Sequence, residues 1–200
     1  MDTLFRTTKV RPENAVLVYS LTLTKNKAAF WGMNIGGVFL LFIFGWFFSR
    51  YVSLIRPSIA FELVITAAKV LYVLLSLLGI AAGQMVLHEL VHGVFFWLFT
   101  RSRPTFGFRG WYAYAAAPGW FFLRRQYRVI SLAPFVLLSV LGMILLAILP
   151  AGALAVVLFA VIVNAASSVG DLWITFKLVC ERRSVVVEDL GDGVNFYALS

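Results

Sequence analysis

Both histidines of the 200-residue chain, His88 and His92, lie four residues apart, and Glu89 directly follows the first. On an α-helix, residues four apart project from the same face, so the two imidazoles can reach one metal ion. Glu89 then lies beside that ion, where its carboxylate can take a proton from a water molecule. The spacing predicts a Zn²⁺ cofactor bound by His88 and His92, with Glu89 as the catalytic base.

A catalytic zinc ion usually has three protein ligands, so the two histidines need a third partner. The sequence favours Asp171, because it lies in a long apolar stretch. Placing a carboxylate in a membrane span costs on the order of 3 kcal/mol, so such a group is usually paired or functional. Asp189 and Asp192 are alternative third ligands, although the glycines around them favour a tight turn. The single cysteine, Cys180, excludes a multi-cysteine metal cluster.

Further polar residues accompany these candidates. Asn164 precedes Asp171 by seven residues, so both lie on one stripe of a helix. The amide of Asn164 either donates a hydrogen bond to the oxyanion of a peptide carbonyl, which would make it catalytic, or joins two helices. Gln84, four residues before His88, either orients that histidine or bonds a neighbouring helix. The structural alternative for the whole group is a polar cluster that faces the interior of a helix bundle.

The elements that carry these residues belong to a membrane protein. Hydrophobic residues make up 62% of the chain and charged residues 13%, with a mean hydropathy of +0.92. A membrane span needs about 20 apolar residues, and the sequence predicts four spans, over 28–48, 70–99, 129–149 and 151–176, followed by a cytosolic tail over 177–200. We expect an all-α integral membrane bundle in which residues 1–200 form one domain.

The basic residues indicate the orientation of this bundle. The net charge is +8, but the Lys and Arg residues flank the apolar stretches in short segments, which favours contacts with lipid headgroups over nucleic-acid binding. With both termini in the cytosol, 14 of the 17 basic residues face inward, as the positive-inside rule requires. The polar first 27 residues predict that no signal peptide is cleaved. The sequence gives no indication of an oligomeric state.

The loop between the second and third predicted spans, residues 104–117, is rich in aromatic residues at even positions: Phe106, Phe108, Tyr112 and Tyr114. A period of two indicates extended chain, and Arg109-Gly110 can turn it into a β-hairpin. The hairpin either holds a substrate strand by backbone hydrogen bonds or forms an aromatic belt at the headgroup level. Residues 16–24 and 185–187 are expected to add short cytosolic strands.

Several motifs together resemble a known family. They are His88-Glu-Leu-Val-His-Gly93, Pro118-Gly119, Leu132-Ala-Pro134-Phe, the stretch from Asn164 to Leu172, and the stretch from Val187 to Gly193. With these motifs, most of the chain resembles a bacterial family of multi-pass membrane proteins classed as zincin peptidases of unknown function.

At greater distance the chain is similar to site-2 proteases, which are intramembrane metalloproteases. That class takes two histidines from one helix and an aspartate from a later helix as zinc ligands, which implies His88, His92 and Asp171 here. It typically has an Asn and a proline ahead of Leu-Asp-Gly. This chain has Gly170-Asp171-Leu172 and lacks a proline after Asn164, so the resemblance implies less about Asn164.

The sequence thus predicts a zinc-dependent membrane metallopeptidase that hydrolyses peptide bonds in or near the cytosolic leaflet of a bacterial cell membrane. Its expected partners are membrane lipid and a membrane protein or peptide substrate. One alternative is a catalytically silent, zinc-binding membrane adaptor or regulator. Another is an ion transporter that uses the intramembrane ionisable residues, although four spans without repeat symmetry do not favour it.

Overall fold

The computed structural model describes residues 7–58, 67–109 and 112–199. The described part is mostly helical, with the helices α1 Lys27–Ile55, α2 Ala67–Thr100, α3 Arg124–Ile148, α4 Ala151–Ser167 and α5 Val169–Cys180. Its strands are β1 Val16–Thr22, β2 Thr105–Arg109, β3 Tyr112–Ala116, β4 Phe121–Leu123, β5 Val185–Asp189 and β6 Gly193–Ala198. The predicted all-α class is therefore incomplete, because strands accompany the helices.

Within the described residues, three helices are long and apolar enough to cross a membrane: α1, α2 from Val70 onwards, and α3. They contain most of the predicted spans 28–48, 70–99 and 129–149. The predicted span 151–176 corresponds to α4 and α5, which meet the same criterion only as a pair, bent by 42°. Lipid cannot hydrogen-bond to the backbone, so apolar stretches of this length form helices whose hydrogen bonds are internal.

The helices pack around α4, which contacts α1, α2 and α3. Small residues allow close approach where the helices meet. A Cβ atom on Gly37 of α1, for example, would lie 3.3 Å from the carbonyl oxygen of Ala166 in α4. Many large apolar side chains on the outer faces of the helices are exposed, as expected for residues that contact lipid.

An antiparallel sheet in the order β1-β6-β5-β4 lies at one end of the bundle, which we call the sheet end. It joins three parts of the chain: β1 precedes α1, β4 lies between α2 and α3, and β5 and β6 follow α5. Phe122, Val187 and Phe196 are buried in its core. The expected strands at 16–24 and 185–187 are found as β1 and β5, whereas β4 and β6 were not predicted.

The strands β2 and β3 form a separate antiparallel pair, with Phe106 opposite Ala115. The predicted aromatic hairpin at 104–117 is therefore confirmed in its strands. Of its predicted turn, Gly110 lies outside the described residues. On α2, a Cβ atom at Gly93 would come within 2.3 Å of the Phe106 ring, so β2 lies close against α2 one residue after His92.

Candidate metal centre

His88 and His92 lie on one face of α2 and are buried, with ring centroids 5.0 Å apart. Asp171 comes from the first turn of α5. Its Oδ2 atom lies 3.0 Å from Nε2 of His88 and 3.4 Å from Nε2 of His92. One potential ligand atom from each side chain lies within 4.8 Å of the others. The structure thus brings together the three residues predicted as ligands, and they could hold a metal ion.

The break between α4 and α5 positions Asp171. At the break, the hydroxyl of Ser168 donates to the carbonyl oxygen of Asn164 at 2.7 Å. The hydroxyl of Ser131 in α3 donates to the backbone carbonyl of Asp171 at 2.9 Å. Serine hydroxyls that bond to backbone carbonyls commonly bend helices. The carboxylate of Asp171 therefore points at α2 from a helix that begins beside it.

The amide of Asn164 is fully buried and orients His88. Its Oδ1 atom lies 3.2 Å from Nδ1 of His88 and accepts a hydrogen bond from Nε2 of Gln84 at 3.0 Å. Its Nδ2 atom donates to the carbonyl oxygen of Pro134 at 3.3 Å. Gln84 therefore bonds a neighbouring helix, one of its two predicted roles, through the amide that contacts His88. The oxyanion role of Asn164 stays a prediction.

The outer nitrogen of His92 has a backbone partner, because its Nδ1 atom lies 3.0 Å from the carbonyl oxygen of Ile130 in α3. A carbonyl can only accept, so Nδ1 carries a proton, and Nε2 is the ring nitrogen that faces Asp171. His88 is arranged in the same way, because the Asn164 oxygen accepts from its Nδ1. Two imidazole Nε2 atoms and a carboxylate oxygen therefore converge, a donor set that suits a divalent cation such as Zn²⁺.

Glu89 lies beside this cluster and is half-buried. Its Oε2 atom accepts a hydrogen bond from the backbone N–H of Ala115 in β3 at 2.7 Å. Glu89 and all three potential ligands line a cavity of about 630 Å³ that extends between the apolar residues Met33, Val38 and Leu41 of α1 and the sheet end. The cavity is large enough to admit a short stretch of extended peptide.

Asp189 and Asp192, the alternative third ligands, line the same cavity but lie outside the cluster. The carboxylate of Asp189 accepts hydrogen bonds from the hydroxyl of Tyr127 and from the backbone N–H of Gly191. Burial raises the pKa of Asp189 to about 6, although the bond from Tyr127 acts in the opposite direction. Asp192 accepts from the hydroxyl of Thr24 at 2.9 Å.

The contribution of α3 to the site was missed at the level of sequence. Ile130 contributes a backbone carbonyl, which no side-chain pattern indicates. A usable signal did exist, because Tyr127, Ser131 and Pro134 follow the spacing i, i+4 and i+7 and so share one stripe of α3. All three are buried. Two polar residues and a proline on one stripe of an apolar helix would have indicated the face towards the metal centre.

Apolar helices of membrane length and a His-His-Asp cluster beside a glutamate are consistent with a membrane metallopeptidase. Residues 81–186, more than half of the chain, match the sequence model of a family described as "putative zincin peptidase", and the protein belongs to this family. The predicted family is thereby confirmed, and it implies a zinc cofactor. No curated protein and no solved structure matches the chain. The bacterial origin and the likeness to site-2 proteases stay predictions.

Proposed function

We propose that this protein is a zinc-dependent membrane metallopeptidase that hydrolyses peptide bonds in or near the cytosolic leaflet. The observation that carries the proposal is the convergence of Nε2 of His88, Nε2 of His92 and Oδ2 of Asp171 beside Glu89. These three atoms would hold the zinc ion. When bound, zinc supplies Lewis-acid chemistry, because it polarises a peptide carbonyl and makes water more acidic.

Glu89 acts as the general base and then as the general acid of the reaction. Its carboxylate takes a proton from the water that attacks the peptide carbonyl and later gives this proton to the leaving amine. The hydrogen bond from the N–H of Ala115 holds the carboxylate on the β3 side of the cavity. The two histidines are already bonded through Nδ1 to Asn164 and Ile130, which fixes the orientation of their rings.

The substrate would bind as an extended strand along β3. The N–H of Ala115 donates to Glu89 and not to β2, so the edge of β3 opposite β2 faces the metal centre. Alternate residues of a strand present their backbone groups to the same edge. A peptide that pairs with this edge gains backbone hydrogen bonds and passes beside Glu89. Such pairing also requires a helical substrate to unwind.

The sheet supports four spans with both termini in the cytosol. Along the chain, β1 precedes α1 and β4 follows α2, while β4 precedes α3 and β5 follows α5. All three strands belong to the same sheet. A membrane cannot pass through a hydrogen-bonded sheet, so the α1–α2 pair and the α3–α5 segment must each return to the side from which they started. With α3 as one span, the bent α4–α5 pair is then the fourth. The distribution of basic residues assigns the sheet end to the cytosol.

Cys180 provides a direct test of this topology. It is the one cysteine of the chain, and it is exposed at the end of α5 next to the sheet. A membrane-impermeant maleimide should label it in inverted vesicles and leave it unlabelled in intact cells. Labelling in intact cells would reverse the proposed orientation.

The activity is tested by zinc content and peptide cleavage together. Purified protein should contain one zinc ion per chain and, in proteoliposomes, should cleave members of a library of membrane-anchored quenched-fluorescent peptides. Glu89→Gln should keep the zinc and lower the rate about 10²–10⁴-fold, the contribution typical of a positioned acid–base group. Glu188→Gln is the matched control, because Glu188 bonds Asn195 and Tyr197 in the sheet. It should change neither quantity.

Three outcomes would redirect the proposal. Zinc well below one ion per chain contradicts the metal centre altogether. Equal cleavage by the wild type and Glu89→Gln contradicts the role of Glu89. Stoichiometric zinc without cleavage by the wild type would favour the zinc-binding adaptor or regulator instead.

A further inference from the structure

The interior of α3 contains Pro134, whose ring is fully buried. Proline has no backbone N–H, so it cannot donate the usual helical hydrogen bond to the carbonyl four residues earlier. That carbonyl belongs to Ile130, and Nδ1 of His92 lies 3.0 Å from its oxygen. The partner of His92 is thus the one carbonyl of α3 that Pro134 releases from the regular helical pattern.

Pro134 also reaches the other histidine. Its own carbonyl oxygen accepts from Nδ2 of Asn164, which turns Oδ1 of the same amide towards Nδ1 of His88. An amide held the other way round would present its N–H₂ group to His88, and Nδ1 could no longer donate. Pro134 therefore affects the Nδ1 contacts of both histidines. It frees the carbonyl that bonds His92, and its own carbonyl bonds the amide that contacts His88.

We infer that Pro134 is a positioning residue of the metal centre, which keeps both histidines in the tautomer that directs the Nε2 lone pair at the metal. The inference rests on the proposed zinc site and adds the reason why its ligands are oriented. An ordinary residue at position 134 would supply an N–H that competes with His92 for the Ile130 carbonyl. His92 would then lose the partner that holds its ring proton on Nδ1, and the other tautomer, with the proton on Nε2, cannot bind the metal through that atom.

A purely structural role for Pro134 makes different predictions. If the proline only bends α3 or fills space, replacing it changes the stability of the fold and leaves the zinc affinity of the folded protein unaltered. If it frees the Ile130 carbonyl, the missing N–H is what matters and the ring is dispensable. Backbone chemistry can separate the two, because an α-hydroxy acid forms an ester bond that lacks the N–H without adding a ring.

The test compares Pro134→Ala with a protein that carries lactic acid, the α-hydroxy analogue of alanine, at position 134. Zinc affinity is measured by competition with a chelator, and the geometry of the centre by the visible absorption of the Co²⁺-substituted protein. Pro134→Ala should weaken zinc binding about 10–100-fold, as is usual when the outer partner of a metal-bound histidine is lost, and should alter the Co²⁺ spectrum. Lactic acid should restore both.

Pro150→Ala is the matched control, since Pro150 precedes α4 at the exposed turn after α3. It should leave zinc affinity unchanged. Should Pro134→Ala not fold, a second variant retains the proline and weakens the acceptor. Glyceric acid in place of Ser131 converts the Ile130 carbonyl to an ester carbonyl, a poorer acceptor, and should weaken zinc binding several-fold.

Tight zinc binding by Pro134→Ala, or equally weak binding by the lactic acid protein, would overturn the inference while the wild type still binds zinc. Unchanged affinity in the glyceric acid protein would overturn it as well. A wild type that binds no stoichiometric zinc would instead remove the proposed function on which the inference rests. The two failures are therefore distinguishable.

Discussion

The helix α2 and the α4–α5 pair both reach the metal centre, but they place their residues in different ways. Over its 34 residues, α2 is one continuous helix, and the four-residue spacing of His88 and His92 alone puts both on one face. The α4–α5 pair is interrupted at Ser168 and bent by 42°. Asp171 reaches the histidines only because the second helix starts where it does.

The difference shows which parts of such a site depend on neighbouring elements. In a regular helix, the spacing of two residues in the sequence determines whether their side chains share a face. The direction of α5 depends also on α3, because the Ser131 hydroxyl bonds the backbone carbonyl of Asp171. The same helix supplies the Ile130 carbonyl that bonds His92 of α2. Mutations on α2 should thus act through the side chain removed, whereas mutations on α3 and α4 should act through the orientation of others.

The largest effect is expected for Asp171→Asn, which tests whether the bent pair truly completes the site. Loss of one of three protein ligands, and of the only negative charge among them, should lower zinc affinity more than about 10³-fold, measured by chelator competition. Asp192→Asn, which changes an acidic residue of the same cavity, is the control and should retain zinc. Loss of zinc in the control but not in Asp171→Asn would make Asp192 the third ligand.

Asp189 lies in the sheet, where burial raises the pKa of its carboxyl group. Its pKa in the folded protein, about 6, lies above the ordinary value of 3.8, so the folded state binds the proton more tightly. The resulting stability is fully present below pH 3.8 and is lost as the pH rises through 6. We expect the free energy of unfolding in detergent to fall by up to roughly 3 kcal/mol between pH 4 and pH 7 from this group.

Asp189→Asn removes this titration and should flatten the pH profile. Its control is Glu181→Gln, because Glu181 pairs with Arg183 near the surface and the pKa of Glu181 is lowered to about 2 by that contact. Its titration lies below the window, so the slope between pH 5 and pH 7 should remain. A wild type whose stability rises over that range would contradict the role given to Asp189.

Asn164→Ala tests whether orientation matters in the bent pair as it does in α3. The variant leaves His88 without its outer partner, so zinc affinity should fall about 10–100-fold, which corresponds to about 1.4–2.7 kcal/mol. Asn34→Ala is the matched control, since Asn34 lies exposed on α1 and bonds only its own helix at Phe30 among the contacts described. Full zinc affinity in Asn164→Ala with loss of cleavage would favour the oxyanion role instead.

The smallest effect concerns the one glycine of α2 that lies against the hairpin. Gly93→Ala gains about 1 kcal/mol of helix propensity but pushes the Phe106 ring aside. Because Phe106 is half exposed and can move, the thermal stability should hardly change. In a Phe106→Ala background the same substitution should stabilise the protein by about 1 kcal/mol. If the effects of the two substitutions on stability are additive in the double-mutant cycle, the prediction is wrong.

The sequence predicts elements whose pattern is local. The apolar stretches of α1, α2 and α3, the period-two aromatics of β2 and β3, and the ligand spacing on α2 all follow from neighbours in the chain. The break before α5 was missed, because it depends on serine hydroxyls and on contacts with α3. Asp171 was found through the cost of a carboxylate in an apolar stretch, but the partner of His92 is a backbone carbonyl without a side-chain signature.

The pairing of β1 with β6 has a consequence for how the protein is made. The strand β1 precedes every helix described here, whereas its partner β6 follows all of them, and residues Gly193 and Val194 of β6 line the cavity. During synthesis all the helices described here are made before the partner of β1. The wall of the cavity formed by β6 is therefore completed last, after the helices that carry both histidines and Asp171 have been synthesised.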